Sequence, residues 1–232
     1  MLIVNLNQEL SILEVAGADS LTYLQGQLTN DIKSLDWQEF QYSAHLNNKG
    51  RILACFIITK IGENIYHLIT HKHTVNKILP RLRMYILRSK VRIHELEQTN
   101  IIFSDHLLSS NIYSISLTSG NFISLVENIP DITTKNIKHW HRFLISQGIC
   151  MIYPETYEQL IPEQVNYDKI GGVSFNKGCY TGQEIVARMH YLGNAKHRMY
   201  KFICDTPVQI GQNVFSPSAN NQKIGTVVDV VN

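Results

Sequence analysis

In this chain of 232 residues, the residue types best suited to chemistry fall in one run. It reads Asn176-Lys177-Gly178-Cys179-Tyr180-Thr181-Gly182-Gln183-Glu184-Ile185-Val186-Ala187-Arg188. Thr181 and Glu184 fit a capping box, S/T-x-x-E, directly before the apolar pair Ile185 and Val186. That spacing predicts a helix starting here, with Cys179 just before its N-terminus and two residues from Lys177. A helix dipole and a nearby ammonium both favour a thiolate. Of the four cysteines, Cys55, Cys150, Cys179 and Cys204, Cys179 is therefore the candidate for a functional thiol. Gly178 and Gly182 would let the backbone approach a ligand closely. Each residue also has a plainer reading: Glu184 as a cap, Gly178 as a turn, Cys179 as a small buried hydrophobe.

Other signals are weaker. His71-x-His73 and His139-x-His141 raise metal ligation, yet neither pair has a third ligand at a recognisable spacing, and catalytic zinc takes three protein ligands. No metal is expected. The cysteines form no C-x-x-C and lack the close spacing of cluster ligands, so reduced thiols and no permanently held iron–sulfur cluster are expected. Charge is more informative. Lys+Arg number 21 and Asp+Glu 19, but the stretch from Asn64 to His94 holds seven bases and no acid. Such segregation attracts an anionic ligand or nucleic acid, or else marks a solvated helix face. Trp37 and Trp140 lie outside that stretch and read as core or pocket wall rather than stacking platforms.

The elements that must position these residues follow from periodicity. Length predicts one large domain or two small ones, and 44% hydrophobic with 17% charged residues excludes a disordered or fibrous chain. The longest apolar run, Ile52 to Ile58, is far short of the roughly 20 residues of a spanning helix. Asn5, Asn7, Gln8 and Glu9 interrupt any signal-peptide core, so a cytoplasmic protein with no membrane partner is expected. Ser11–Val15 reads as a strand ended by Gly17, followed by a helix through Leu21, Leu24 and Leu28 capped by Asp19 or Ser20. Leu46–Gly50 reads as a turn between strands, with Ile52–Thr59 and Ile65–Thr70 following. Val75, Ile78, Leu79, Leu82 and Ile86 predict a helix that Pro80 kinks or splits. From Val91 to Val126 the pattern is β-like, and Pro130 with Asp131 marks a break. A further helix carries Ile137, Trp140, His141 and Leu144 and stops at Gly148. A long loop-like segment from Pro154 to Gly178 precedes the site, and short strands return after Lys196. Helices and strands do not alternate regularly, which predicts an α+β fold with largely antiparallel sheets.

The run Lys177-Gly178-Cys179-Tyr180-Thr181-Gly182-Gln183-Glu184 resembles the signature K-G-C-[FY]-x-G-Q-E of the YgfZ family, relatives of the glycine-cleavage T-protein. Four further segments agree in order. Leu24–Asp31 resembles the family's early helix and T-N-D turn, Asn47–Arg51 its K-G-R hairpin, Leu87–Val91 the segment after its central helix, and Ile161–Asn166 its P-x-x-x-N loop. The resemblance covers residues 8 to 230. It implies a three-lobed ring, with residues 1–195 as a core of two interleaved lobes and 196–232 as a small, abbreviated piece of a C-terminal β-barrel. It also implies a tetrahydrofolate pocket, or one for a one-carbon derivative. Around Cys179 that pocket would take Lys177, Tyr180, Gln183, Glu184 and Arg188, with Asn30 and Asp31 on the opposite wall. Lys177, Arg188 or the basic stretch would hold the folate's anionic tail. The implied role is an accessory protein for iron–sulfur enzymes or their assembly proteins and, through them, tRNA modification. Two alternatives stay open: a folate-dependent one-carbon transferase, and an RNA-binding module on the basic stretch. One departure bears on this choice. The T-protein's acidic hairpin pair is replaced by Ala54 and Cys55, which argues against glycine-cleavage aminomethyl transfer.

Overall fold

The computed structural model describes residues 1–97, 99–129, 135–193 and 195–231. Pro130 and Asp131, where the sequence suggests a break, lie outside them. Eleven strands and four α-helices follow one another as β1 (Ile3–Asn5), β2 (Leu10–Ala16), α1 (Ser20–Gln27), β3 (Phe40–Leu46), β4 (Ile52–Gly62), β5 (Ile65–His71), α2 (Lys72–Met84), β6 (Arg92–Glu95), β7 (Asn100–Ser104), β8 (Tyr113–Thr118), β9 (Asn121–Val126), α3 (Lys138–Gln147), α4 (Gln183–Leu192), β10 (Asn213–Ser216) and β11 (Gln222–Thr226) among the described residues. They build three antiparallel sheets, ordered β3-β4-β5-β2-β6, β1-β7-β9-β8 and β10-β11. The fold is α+β with antiparallel sheets, as the irregular alternation predicts.

Strand β4 explains the longest apolar run. Its residues alternate between two cores: Ile52, Cys55 and Ile57 point to one, Leu53, Phe56 and Ile58 to the other. Both faces of the five-stranded sheet are therefore covered, and a strand in that position reads as continuous hydrophobe. On one side lie α1 and α2, contributing Tyr23, Leu24, Val75, Ile78 and Leu82. On the other lie the four-stranded sheet and α3, where Phe103, Trp140 and Phe143 stack within 5.7 Å of one another. Trp140 is core as expected. Trp37 is not: it is 57% exposed and forms a bridge to Lys60 at the sheet edge.

Helix α1 begins after Asp19, but the carboxylate does not cap it; Asp19 Oδ2 accepts from the Lys90 backbone N–H at 2.6 Å. Helix α3 ends at Gly148 in the left-handed conformation, as predicted. Helix α2 is not split into two: it runs on through Pro80. Pro80 and Asn76 both sit on its exposed face, where water can take the carbonyl that the missing N–H leaves free. The tail forms a two-stranded hairpin with no closed barrel among the described residues. Arg198 ties it to the core through Asp168 (2.6 Å) and the Glu163 carbonyl (2.8 Å).

Pro80→Ala is expected to stabilise the fold by about 1–2 kcal/mol. The regained hydrogen bond and lost ring clash outweigh the freer unfolded chain, and thermal unfolding measures the difference.

Candidate functional site

The chain leaving α1 is stitched to two distant segments. Leu28 bridges to His45, and Thr29 exchanges bonds with Ala44: its N–H donates to the Ala44 carbonyl at 2.9 Å, and Oγ1 accepts the Ala44 N–H at 2.8 Å. Thr29 Oγ1 also donates to the Gly172 carbonyl at 2.6 Å. Asn30 Nδ2 donates to the carbonyls of Tyr42 (2.8 Å) and Gly171 (2.7 Å). Asp31 Oδ1 accepts from Gln25 Nε2 at 2.8 Å and from the Lys33 N–H at 3.1 Å. The T-N-D turn thus joins α1, β3 and the loop before the cysteine. Only glycine suits position 172, since a Cβ there would stand 2.5 Å from the Tyr167 ring.

Lys177 completes the joint. It is 9% exposed, and Nζ donates to the carbonyls of Leu28 and Asn30, both at 2.7 Å. Its ammonium also stands 5.1 Å from the centre of the Tyr180 ring. Burial lowers the Lys177 pKa to about 8, with the Asp31 charge pulling the other way. Lys177 is consequently in direct contact with the Asn30 backbone. Burial raises the phenol pKa of Tyr180, and the Glu163 charge adds to this. Cys179 is exposed between these two buried neighbours.

Helix α4 starts where the sequence predicts, but by a different device. Gly182 precedes it in the left-handed conformation, φ +82°, and no side chain caps the first turn. The Thr181–Glu184 box does not form. The cause is a close approach: a Cβ on Gly182 would lie 2.5 Å from the Asn47 carbonyl, so the hairpin between β3 and β4 forces a glycine entry. Gln183 is half-buried, whereas Glu184 and Arg188 are exposed along the helix. Gly178, by contrast, meets nothing within 4 Å.

Sequence reasoning missed Glu163. It sits in the 3-10 turn Pro162–Val165, 2% exposed, with neither carboxylate oxygen hydrogen-bonded. Burial raises its pKa to about 7; the Asp168 charge adds to the shift and the Arg198 charge opposes it. Asn166 Oδ1, three residues on, is also buried without a partner. The Ile161–Asn166 motif marked the turn, but local spacing could not show that tertiary packing buries its acid.

One histidine of each pair faces a carboxylate. His71 Nε2 lies 3.2 Å and His141 Nε2 4.0 Å from Glu9 Oε2, and His141 Nδ1 lies 3.3 Å from Asp229 Oδ1. At the position of the acidic pair, Ala54 and Cys55 are fully buried, and burial pushes the Cys55 thiol up to about 12.

Residues 7–104 match the family model described as the GCVT N-terminal domain. A curated protein of Haemophilus influenzae is 31% identical, over 95% of this chain and 81% of its own length. The tRNA-modifying protein YgfZ of Buchnera aphidicola is 28% identical, over 98% of this chain and 79% of its own. The chain belongs to the YgfZ family. Among solved structures, the glycine cleavage system aminomethyltransferase T from Bartonella henselae superposes with a TM-score of 0.68 at 12% identity, covering 98% of this chain and 73% of that one. Within this chain, Lys177 joins the Cys179 segment to the T-N-D turn, and Gly182 packs that segment against the hairpin.

Two outcomes follow. Lys177→Met leaves two buried carbonyls without donors and is expected to cost on the order of 2 kcal/mol in denaturant unfolding, so this residue holds the wall together as well as shaping its charge. For Glu163, the folded state keeps a proton between pH 4.5 and about 7 that the unfolded chain has released. Its contribution to stability is therefore full below pH 4.5 and lost as pH rises through 7. Glu163→Gln should match the parent near pH 4 and exceed it by on the order of 1–3 kcal/mol at pH 8, read from melting curves across pH.

Proposed function

We propose that this protein is a cytoplasmic tetrahydrofolate-binding accessory protein that supports iron–sulfur cluster assembly or repair and, through it, tRNA modification. Cys179 is its functional thiol. The observation that carries this reading is the exposed Cys179 held between Lys177 and Tyr180, two buried side chains on the wall built by the T-N-D turn. Curated relatives bear the name tRNA-modifying protein YgfZ, and the shared fold is that of an aminomethyltransferase.

The residues present fit a folate. Glu163 offers two buried carboxylate oxygens without donors, beside Tyr180, and Asn166 offers a third orphan acceptor. A pterin presents paired N–H groups on its pyrimidine edge, which is the complement such acceptors need. When bound, tetrahydrofolate supplies a carrier for a one-carbon group. Glu163 would hold the pterin edge, Asn30, Asp31, Lys177 and Tyr180 the wall, and Gln183, Glu184 and Arg188 the rim. Ala54 and Cys55 leave no carboxylate at the position where aminomethyl transfer uses one, which favours an accessory role over a transferase.

Calorimetric titration of the reduced protein with tetrahydrofolate, under anaerobic conditions, should give saturable one-site binding that weakens at least tenfold in Glu163→Gln. No heat, together with no ligand-induced rise in melting temperature, would refute the folate pocket. Cys179→Ser is expected to leave folate binding intact yet fail to restore iron–sulfur enzyme activity in a deletion strain; full restoration would remove the thiol's role.

A further inference from the structure

The surface beside this site carries a second feature. An open cleft of about 880 Å³ lies between the Asn47–Arg51 hairpin and α2. Lys49 and Arg51 enter it from the hairpin and Arg81 from the helix, so cations about 30 residues apart in sequence converge on one groove. Its one acid, Glu158, has Oε1 within 3.5 Å of Asn47 Nδ2. We propose that this cleft binds the backbone of single-stranded RNA.

Three observations support it. First, Arg81 is positioned from behind. Burial lowers the His45 pKa to about 4, so the ring is neutral; Nδ1 bonds the Gln27 carbonyl at 2.8 Å, and Nε2 accepts from Arg81 Nε at 3.3 Å. That contact occupies only Nε, and the two terminal amino groups of Arg81 make no hydrogen bond among the described residues. A guanidinium held this way presents a preformed fork to phosphate oxygens. Second, an aromatic ring lines the cleft beside the cations: Arg81 lies 5.7 Å over the Tyr85 ring. A base can stack on such a ring while the cations follow the backbone. Third, no acid occurs from Asn64 to His94, so the α2 side of the cleft carries no charge that repels a polyanion. A γ-glutamyl chain would leave the Tyr85 ring unused. The amides of Asn48 and Gln159 line the groove and suit a ribose hydroxyl, which favours RNA over DNA.

Fluorescence anisotropy of the full chain with a labelled single-stranded RNA of mixed sequence, across a potassium chloride series, tests this. Three phosphate contacts predict a slope of log K against log salt near about −2. Lys49→Gln with Arg81→Gln should move that slope toward zero by about 1.4, because two contacts are lost. Lys49→Glu alone, on an exposed turn side chain, should weaken binding several-fold with no change in melting temperature and guards against a folding artefact. Absent binding at low salt, a slope the double variant does not move, equal binding of the matching DNA, or equal displacement by poly-γ-glutamate would each overturn the proposal.

Discussion

A buried ammonium organises this molecule. Lys177 sits where water cannot reach it freely, and a desolvated charge persists only when hydrogen bonds replace the lost hydration. The carbonyls of Leu28 and Asn30 provide them at 2.7 Å each. Those carbonyls in turn belong to the segment leaving α1, where the helix has stopped supplying donors. Each side satisfies what the other lacks. The turn that carries Asn30 and Asp31 and the segment that carries Cys179 are therefore fixed relative to each other by a charge-assisted pair of bonds.

The same economy appears on β4. In a sheet covered on both faces, every position from Ile52 to Ile58 must be apolar or small, and Ala54 and Cys55 meet that demand. A carboxylate at either position would need its own buried partner. Strand β4 is thus given to packing from Ile52 to Ile58, while the exposed Cys179 lies in the loop that leads into α4.

Much of this was legible in the sequence because it depends on local spacing. The continuous apolar run of β4, the i, i+3, i+7 face of α2 and the glycine stop of α3 each encode their element within a dozen residues. The elements around the site came through on the same grounds. What did not come through depends on distant contacts. Thr181 and Glu184 have capping-box spacing, yet the hairpin at Asn47 decides how α4 begins. Lys177 looks in sequence like a charge beside a thiol; its partners lie 149 and 147 residues away. Glu163 gives no local sign of burial, and spacing alone does not show that Pro80 faces solvent. Nor does composition show that the Trp37 ring lies exposed beside Lys60 rather than in the core.

The contact between Gly182 and the hairpin carries a consequence for the order of assembly. Bonds such as Thr29 to Gly172, 143 residues apart, and Lys177 to Leu28 close very long loops, and that entropy must be met before the contacts repay it. During synthesis the N-terminal sheet and its two helices emerge first and can collapse on local and medium-range contacts. The strand that the Cys179 segment docks beside is then already in place, acting as a template. The thiol therefore acquires its surroundings only once the chain through α4 has been made, and the same late segment brings Tyr180 and Val186 into the main core.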